Sequence, residues 1–295
     1  MTITRLAFIA TAMASLAFAG SAAAQSRTWN FGDITSPGSC PTGGSGPIAS
    51  TIGNVLTCSS VVPSSVTTSL EVRAFSSTAT NSSGTTVTSS GTAGTHFETA
   101  AVNYHGIGSG IGVANQFEGA LVTGQPNHAM DNSTPGVDLL QLSFVGGIGV
   151  QALKTVTLGW GGADSDFQVL RWKLATPAGA VAGRTATELV SDGWERVGEV
   201  FNGNLNSGGA HQTFNFNAGG LTSSSWLITA HKRAFWGTGF TSGIDAIKVL
   251  SIVATGGTVS APGTLALVGL GLMGAVAMRR TSVRNEDCDD GRPRP

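Results

Sequence analysis

Charged side chains are scarce in this sequence, and the scarcity limits what the protein can bind. They make up 11% of its 295 residues, against about 25% in typical soluble domains. Residues 25–262 carry 10 Lys or Arg and 13 Asp or Glu, a net charge near −3. A surface without a basic patch does not attract a phosphate backbone. We therefore expect no nucleic acid among the partners.

The common motifs of catalysis are also missing. The chain has no GxSxG nucleophile elbow, no HExxH zinc motif and no Walker loop. A pair of carboxylates of the glycosidase kind stays open, because it requires only a suitable separation in the fold. Glu195 and Glu199 lie four residues apart but fit a solvated face better. We predict a non-enzymatic protein, with a polysaccharide hydrolase as an alternative.

Cysteine is limited to three residues. Cys40 and Cys58 are 18 residues apart in the part of the chain that we predict to be exported, and in an oxidising compartment the default is that they pair. Closing a loop of that size contributes about 3 kcal/mol to stability. Two free thiols or two metal ligands are the alternative. Cys288 lies in a predicted cytoplasmic tail and cannot reach the other two.

Glycine, in contrast, is abundant, with 42 residues, about twice the usual frequency of ~7%. Short segments alternate apolar and polar residues, as half-buried strands do; they include residues 140–144, 156–160, 168–174 and 212–216. The segments 226–230 and 247–253 are apolar on both faces, as central strands are. Such strands, separated by Gly, Asn or Asp, predict a mainly β body over residues 96–258, a jelly-roll-like β-sandwich.

Residues 25–95 form a Gly-, Ser- and Thr-rich N-terminal part of the same ectodomain. We predict a short strand at 28–31 and a better one at 70–75. The composition of 61–95 also fits a flexible or glycosylated stalk, but Thr and Val favour strands, so we predict exposed β structure there. One helix is predicted in the body, at 185–191, ending near Gly193.

The N-terminus has the pattern of a secretory signal peptide over residues 1–24. Arg5 supplies the positive charge, residues 6–19 the apolar segment, and three alanines ending at Ala24 the small-residue cleavage site. The pattern predicts that the remainder of the chain is exported.

Near the C-terminus, residues 264–278 contain no charge, and Arg279 and Arg280 follow directly. A membrane span needs about 20 apolar residues, with about 17 as the lower edge, so flanking residues must contribute to a transmembrane helix. Basic residues beside a span favour the cytoplasmic side. The tail 281–295 is then cytoplasmic, and everything before Pro262 lies outside. A buried core helix is the alternative.

The junction Ser260-Ala261-Pro262-Gly263, the Gly- and Leu-rich span and the Arg pair resemble the PEP-CTERM sorting signal over residues 259–280. The family's usual junction is Pro-Glu-Pro. The resemblance implies an exosortase-dependent surface protein: an inner-membrane precursor, processing by the membrane protease exosortase, and association with the cell surface, exopolysaccharide or biofilm. Four short segments of the body also resemble exported proteins of this family; they lie at residues 128–132, 138–144, 158–160 with 164–166, and 225–230.

Oxygen-bearing side chains gather in two places. Asp131, Asn132 and Asp138 form one group, and Asp164 and Asp166 lie in a later Gly-rich loop. Carboxylate, amide and main-chain oxygens are the ligands that Ca²⁺ takes, six to eight in number. These residues therefore predict a Ca²⁺ site in a Ca²⁺-dependent carbohydrate-binding β-sandwich module, the first alternative for function; the polysaccharide hydrolase is the second. Asx turns, in which the side chain bonds its own backbone, explain the same residues without a metal.

Trp236 stands at the start of a Gly-rich loop, residues 236–240. An aromatic side chain exposed there could stack on the face of a sugar. In a β protein most tryptophans belong to the core, which is the alternative for this residue.

Overall fold

The computed structural model describes residues 26–32, 40, 50–60, 68–77, 95–115, 129–132, 136–146, 149–162, 164–199, 201–203, 205, 211–236 and 244–256. Several predicted features lie outside these described residues: the signal peptide with Ala24, the transmembrane helix, the tail 281–295, and the sorting residues Ala261, Pro262, Gly263, Arg279 and Arg280. Within the described residues, no helix has the length and apolar character needed to cross a membrane.

The described chain is mainly β, as the alternating patterns predict. Its 14 strands are β1 Ser26–Asn30, β2 Ser50–Gly53, β3 Val55–Ser60, β4 Thr68–Ser76, β5 Glu98–Tyr104, β6 Ile111–Ala114, β7 Met130–Asp131, β8 Asp138–Gly146, β9 Gln151–Gly161, β10 Phe167–Trp172, β11 Trp194–Arg196, β12 Gln212–Asn215, β13 Ser225–Ala230 and β14 Ala246–Gly256. The pairings between these strands are antiparallel.

Two groups of strands share one hydrophobic core and give the fold its sandwich-like character. In the first group the order is β11-β10-β13-β8-β4, with β3 on β4. In the second the order is β6-β14-β9-β12, with β1 and β7 on β14. Strand β5 pairs with β4 on one side and with β2 and β6 elsewhere, so it joins the two groups.

The first core lies between these groups and takes alternate residues of each strand. Strand β4 contributes Leu70, Val72 and Ala74, all fully buried. Each fully buried aliphatic side chain stabilises the fold by about 1.5–3 kcal/mol. The predicted strand at 70–75 is confirmed, but the expected exposure of 61–95 is wrong for it, because the strand lies between β3 and β8. Its polar alternate residues, Glu71 and Arg73, point away from that core and made the segment look exposed.

A second core covers the outer face of the first group. Strand β13 is apolar on both faces and therefore needs a core on each side. Trp226 and Ile228 belong to the first core, whereas Leu227 belongs to the second. Leu139 and Leu170 on neighbouring strands face the same second core. The segment between β10 and β11, and the two helices, supply its outer side.

Helix α1, Ala186–Asp192, confirms the predicted helix and is closed at both ends. The Thr185 side chain accepts from the main-chain N–H of Glu188, and the Glu188 carboxylate accepts from that of Thr185, a capping box. Gly193 ends the helix at φ 130°, a conformation that side chains disfavour. Helix α2, Arg233–Trp236, is a single turn that the sequence did not predict.

The predicted disulfide between Cys40 and Cys58 is confirmed, with both residues buried in the first core. It ties the segment after β1 to strand β3. The predicted strand at 168–174 is corrected at its end, because β10 ends at Trp172 and Leu174 is 45% exposed.

Candidate functional site

Three aspartates meet at one end of β14 and form what we call the acidic pocket: Asp164, Asp166 and Asp245. Each contributes a carboxylate oxygen, and these oxygens all lie within 4.8 Å of one another. Asp166 is 3% exposed and Asp245 5% exposed, while Asp164 is half-buried. The pocket thus holds three acids close together with little access to water.

The pairing of β9 with β14 brings these residues together. Asp164 follows β9, and Asp245 comes just before β14; the two form an isolated parallel bridge. The main-chain N–H of Ala246 donates to the Asp164 carbonyl (3.3 Å). The N–H of Asp166 donates to Oδ1 of Asp245 (3.0 Å), which links the two segments through a side chain as well.

Asn132 holds Asp245 from a third segment. It follows β7, which pairs with the start of β14. The Asn132 Oδ1 accepts from the N–H of Asp245 (2.9 Å), and its Nδ2 donates to Oδ2 of Asp245 (2.6 Å). Its Nδ2 also donates to the His231 carbonyl. The Asp245 side chain is therefore fixed before any ligand arrives.

A glycine allows the chain to pass close to the loop that carries Asp164 and Asp166. A Cβ on Gly203 would lie 2.5 Å from the carbonyl oxygen of Ser165, which is too close for any side chain. The Gly203 carbonyl accepts from the N–H of Ser165 (3.2 Å). This contact sets the position of the residue between the two aspartates.

The electrostatics of the pocket are unfavourable for three ionised acids. Burial raises the pKa of Asp166 to about 6, with the charge of Asp164 raising it further and a backbone hydrogen bond from Gly203 opposing the rise. Burial also raises the pKa of Asp245 to about 8. The hydrogen bond from the Asp166 N–H opposes this rise, whereas the charges of Asp164 and Asp166 and a side-chain hydrogen bond with Asp164 add to it. A positive ion at this point would offset the repulsion.

The described residues around the acidic pocket supply no positive side chain to balance the negative charge of its three aspartates. Among the described residues, no Lys or Arg forms an ion pair with any of the three aspartates. The ammonium group of Lys232 bonds the main-chain carbonyl of Asn132 (3.4 Å) instead. One oxygen, Oδ1 of Asp166, is buried without a hydrogen-bond partner.

The structure brings together three of the five predicted oxygen ligands. Asn132, Asp164 and Asp166 meet at the pocket. Asp131 and Asp138 lie beside each other instead, with the N–H of Asp131 donating to Oδ2 of Asp138 (3.3 Å), and neither belongs to the three-carboxylate group. Asp245 was missed, because only the pairing of β9 with β14 distinguishes it from other acids of the sequence.

A second region, which we call the polar cleft after the polar side chains on its floor, lies on the outer face of β4, β8 and β13. It is a concavity of about 720 Å³, with Arg73, Gln141, Ser143 and Ser225 on its floor and residues 174–182 along one side. Arg73 forms an ion pair with Glu71. The hydroxyls of Ser143 and Ser225 share a hydrogen bond of 3.0 Å. Exposed aliphatic side chains line its edge; they are Val145, Val150 and Leu174.

Trp236 lies in the second core rather than on the surface. It is 4% exposed and stacks on Phe97, with ring centroids 6.2 Å apart and planes inclined by 17°. This placement removes the indole face that the predicted stacking on a sugar requires. The rest of its loop, residues 237–240, lies outside the described residues.

No protein-family model matches this chain, and none of the curated proteins matches it. Three chains among the solved structures do match. One is CpGH89CBM32-5 from Clostridium perfringens, solved in complex with GalNAc-β-1,3-galactose, at 12% identity and a TM-score of 0.22. The alignment covers 41% of this chain and 66% of that one. A similarity at that score assigns no function to the chain.

Proposed function

We propose that the chain is an exported, exosortase-sorted protein of the cell surface or extracellular matrix, with a non-enzymatic, jelly-roll-like β-sandwich body. The observation that carries the proposal is the buried Cys40–Cys58 disulfide, because structural disulfides form and persist in oxidising compartments outside the cytoplasm. The signal-peptide pattern at residues 1–24 and the sorting-signal pattern at 259–280 agree with that compartment.

The partners of this proposal follow from the C-terminal pattern. The membrane holds the precursor through the helix before Arg279 and Arg280, and an exosortase-type protease cleaves near Ala261, Pro262 and Gly263. The released body joins the cell surface or its exopolysaccharide. A body rich in Thr, Ser and Asn, with only 11% charged residues in the whole sequence, suits a neutral polymer better than a charged one.

Fractionation of cells tests the sorting. The full chain, expressed in a Gram-negative host that has an exosortase, should pass through a membrane-bound precursor. Deleting residues 262–295 should send the body to the periplasm or the medium with no such precursor, because the temporary anchor is gone. The disulfide should be present in both products. An unchanged distribution between fractions would contradict the proposal.

A second candidate function, binding of a glycan, is favoured by the polar cleft. Its volume lies in the range of ligand sites, about 300–1,000 Å³. The guanidinium of Arg73, the amide of Gln141 and the hydroxyls of Ser143 and Ser225 offer donors and acceptors on a rigid sheet. Sugar hydroxyls need such groups, and the aliphatic edge suits the apolar faces of a sugar ring.

Affinity electrophoresis or calorimetry with polysaccharide from the producing cell tests this second function. Arg73→Ala combined with Gln141→Ala should weaken binding at least tenfold, because both side chains lie on the floor of the cleft. Arg233→Ala, an exposed residue of α2 that does not line the cleft, is the control and should bind like the parent chain. Equal binding by both variants would exclude the cleft.

A further inference from the structure

Asp166 and Asp245 of the acidic pocket are almost inaccessible to water, and no described Lys or Arg forms an ion pair with either of them. Removing an ionised carboxylate from water is costly unless it is paired, bonded or neutralised. Oδ1 of Asp166 has no hydrogen-bond partner among the described residues, although Asp166 is only 3% exposed. An oxygen buried in this way, next to two further carboxylates, points to a bound positive ion.

We infer that the acidic pocket is a divalent-cation site, held by Asp164, Asp166 and Asp245, and that Ca²⁺ is the ion it suits. The distances allow one ion to reach all three side chains. Oxygen ligands of Ca²⁺ lie about 2.4 Å from the ion, so two ligands of one ion are at most ~4.8 Å apart. The carboxylate oxygens here all lie within 4.8 Å of one another.

The chemistry of the donors selects among the ions. The group contains carboxylate oxygens and no Cys or His, whereas zinc sites favour sulfur and imidazole ligands. The main-chain N–H of nearby His231 donates to the Asp166 carbonyl (2.9 Å), but its ring contributes no atom to the group. Mg²⁺ keeps several waters and usually takes one or two carboxylates. Three carboxylates in a largely buried pocket favour Ca²⁺.

The location of the site indicates what the ion does. Asp164 and Asp166 lie between β9 and β10, whereas Asp245 lies at the start of β14. An ion bound by all three aspartates would link the loop between β9 and β10 to the chain directly before β14. Asn132 supports Asp245 through two side-chain hydrogen bonds and acts as a positioning residue. The bound ion therefore stabilises the fold at this end of the sandwich.

Thermal unfolding and calorimetry of the full-length purified chain test the site. After chelation with EDTA and dialysis, Ca²⁺ at about 100 times its Kd should raise Tm by about 5–10 °C. Mg²⁺ at the same concentration should raise it less. Calorimetry should show one Ca²⁺ per chain. Absence of both a Tm shift and a binding heat at millimolar Ca²⁺ would overturn the inference.

Asp166→Asn is the most informative variant. Asn keeps one oxygen for the hydrogen bond from Gly203 and places an NH₂ donor among the remaining carboxylates, so the metal-free protein should keep or raise its Tm. The Ca²⁺ shift should disappear and the affinity should fall at least tenfold. A purely structural aspartate would give the opposite pattern, with a lower Tm and an unchanged Ca²⁺ shift.

Two further variants make the result independent of any folding defect. Asp164→Asn changes the half-buried aspartate of the acidic pocket, and Ca²⁺ should no longer raise the Tm of this variant. Asp192→Asn changes an aspartate outside the acidic pocket that pairs with Arg184 (3.2 Å). Ca²⁺ should raise the Tm of this variant as much as that of the parent chain. If Asp164→Asn and Asp166→Asn both bind Ca²⁺ as the parent chain does, the ion is not held here and the inference fails.

Discussion

The acidic pocket and the polar cleft both contain charged side chains, but among the described residues those charges are paired in the cleft and unpaired in the pocket. In the cleft, Arg73 pairs with Glu71 near solvent, so the fold tolerates its charges without a ligand. In the pocket, Asp166 and Asp245 are buried beside Asp164 without an ion pair to a described Lys or Arg. A ligand of the cleft is therefore optional for stability, whereas a cation in the pocket stabilises the fold.

Among the variants that distinguish the acidic pocket from the polar cleft, we expect Gly203→Ala to lose the most unfolding free energy. Its Cβ would meet the Ser165 carbonyl at 2.5 Å, so the loop of the pocket must move, at a cost of about 1–3 kcal/mol as for other overpacked sites. The Ca²⁺ shift in Tm should fall with it. Gly219→Ala is the matched control, because a Cβ there meets nothing within 4 Å. Equal unfolding free energies for the two variants would show that the loop is not constrained.

Asn132→Ala should have the next largest effect. It removes two hydrogen bonds from Asp245 and leaves a buried carboxylate with fewer partners, which costs about 1–3 kcal/mol. Urea unfolding with and without Ca²⁺ measures it. We expect Ca²⁺ to bind more weakly than in the parent chain but still to bind, since the three carboxylates remain. Complete loss of binding would make Asn132 a ligand and not a positioning residue.

The pH dependence of the metal-free protein has a definite sign. The pKa of Asp245 is raised to about 8 and that of Asp166 to about 6, so the folded chain holds these protons more tightly than the unfolded chain. Stability should therefore fall as the pH rises from about 4 towards 8. Saturating Ca²⁺ should abolish or reverse this trend. Tm measured across that range checks it; a rising Tm without Ca²⁺ would contradict the account.

The smallest effect is expected in the polar cleft. Arg73→Ala should change the unfolding free energy by about 0.5 kcal/mol or less, because exposed ion pairs contribute little. The Ca²⁺ shift should stay at the parent value. Thermal unfolding with and without Ca²⁺ measures both quantities. A large loss of either would mean that the two regions are coupled, and that the contrast between them does not hold.

Local patterns were enough to predict much of the fold. Helix α1 could be predicted because its capping box joins neighbours in sequence, Thr185 and Glu188. Strand β13 could be predicted because its residues are apolar on both faces. The burial of β4 could not, since the Ser and Thr around it conceal how Leu70, Val72 and Ala74 meet strands far away in sequence.

The candidate site was predictable only in part, for the same reason. Asn132, Asp164 and Asp166 stand in segments rich in oxygen ligands, and the sequence marks them. Asp245 stands alone before an apolar strand, and only the pairing of that strand with β9 brings it to the others. Trp236 shows the reverse case: its Gly-rich surroundings suggested exposure, whereas tertiary packing against Phe97 buries it.

A crystal structure of the protein grown with Ca²⁺, with the ion located by its anomalous scattering, would show directly whether the acidic pocket holds a cation. We expect one ion within about 2.3–2.6 Å of oxygens from Asp164, Asp166 and Asp245. A pocket in which a Lys or Arg side chain, or water alone, meets those three carboxylates in the presence of Ca²⁺ would contradict it.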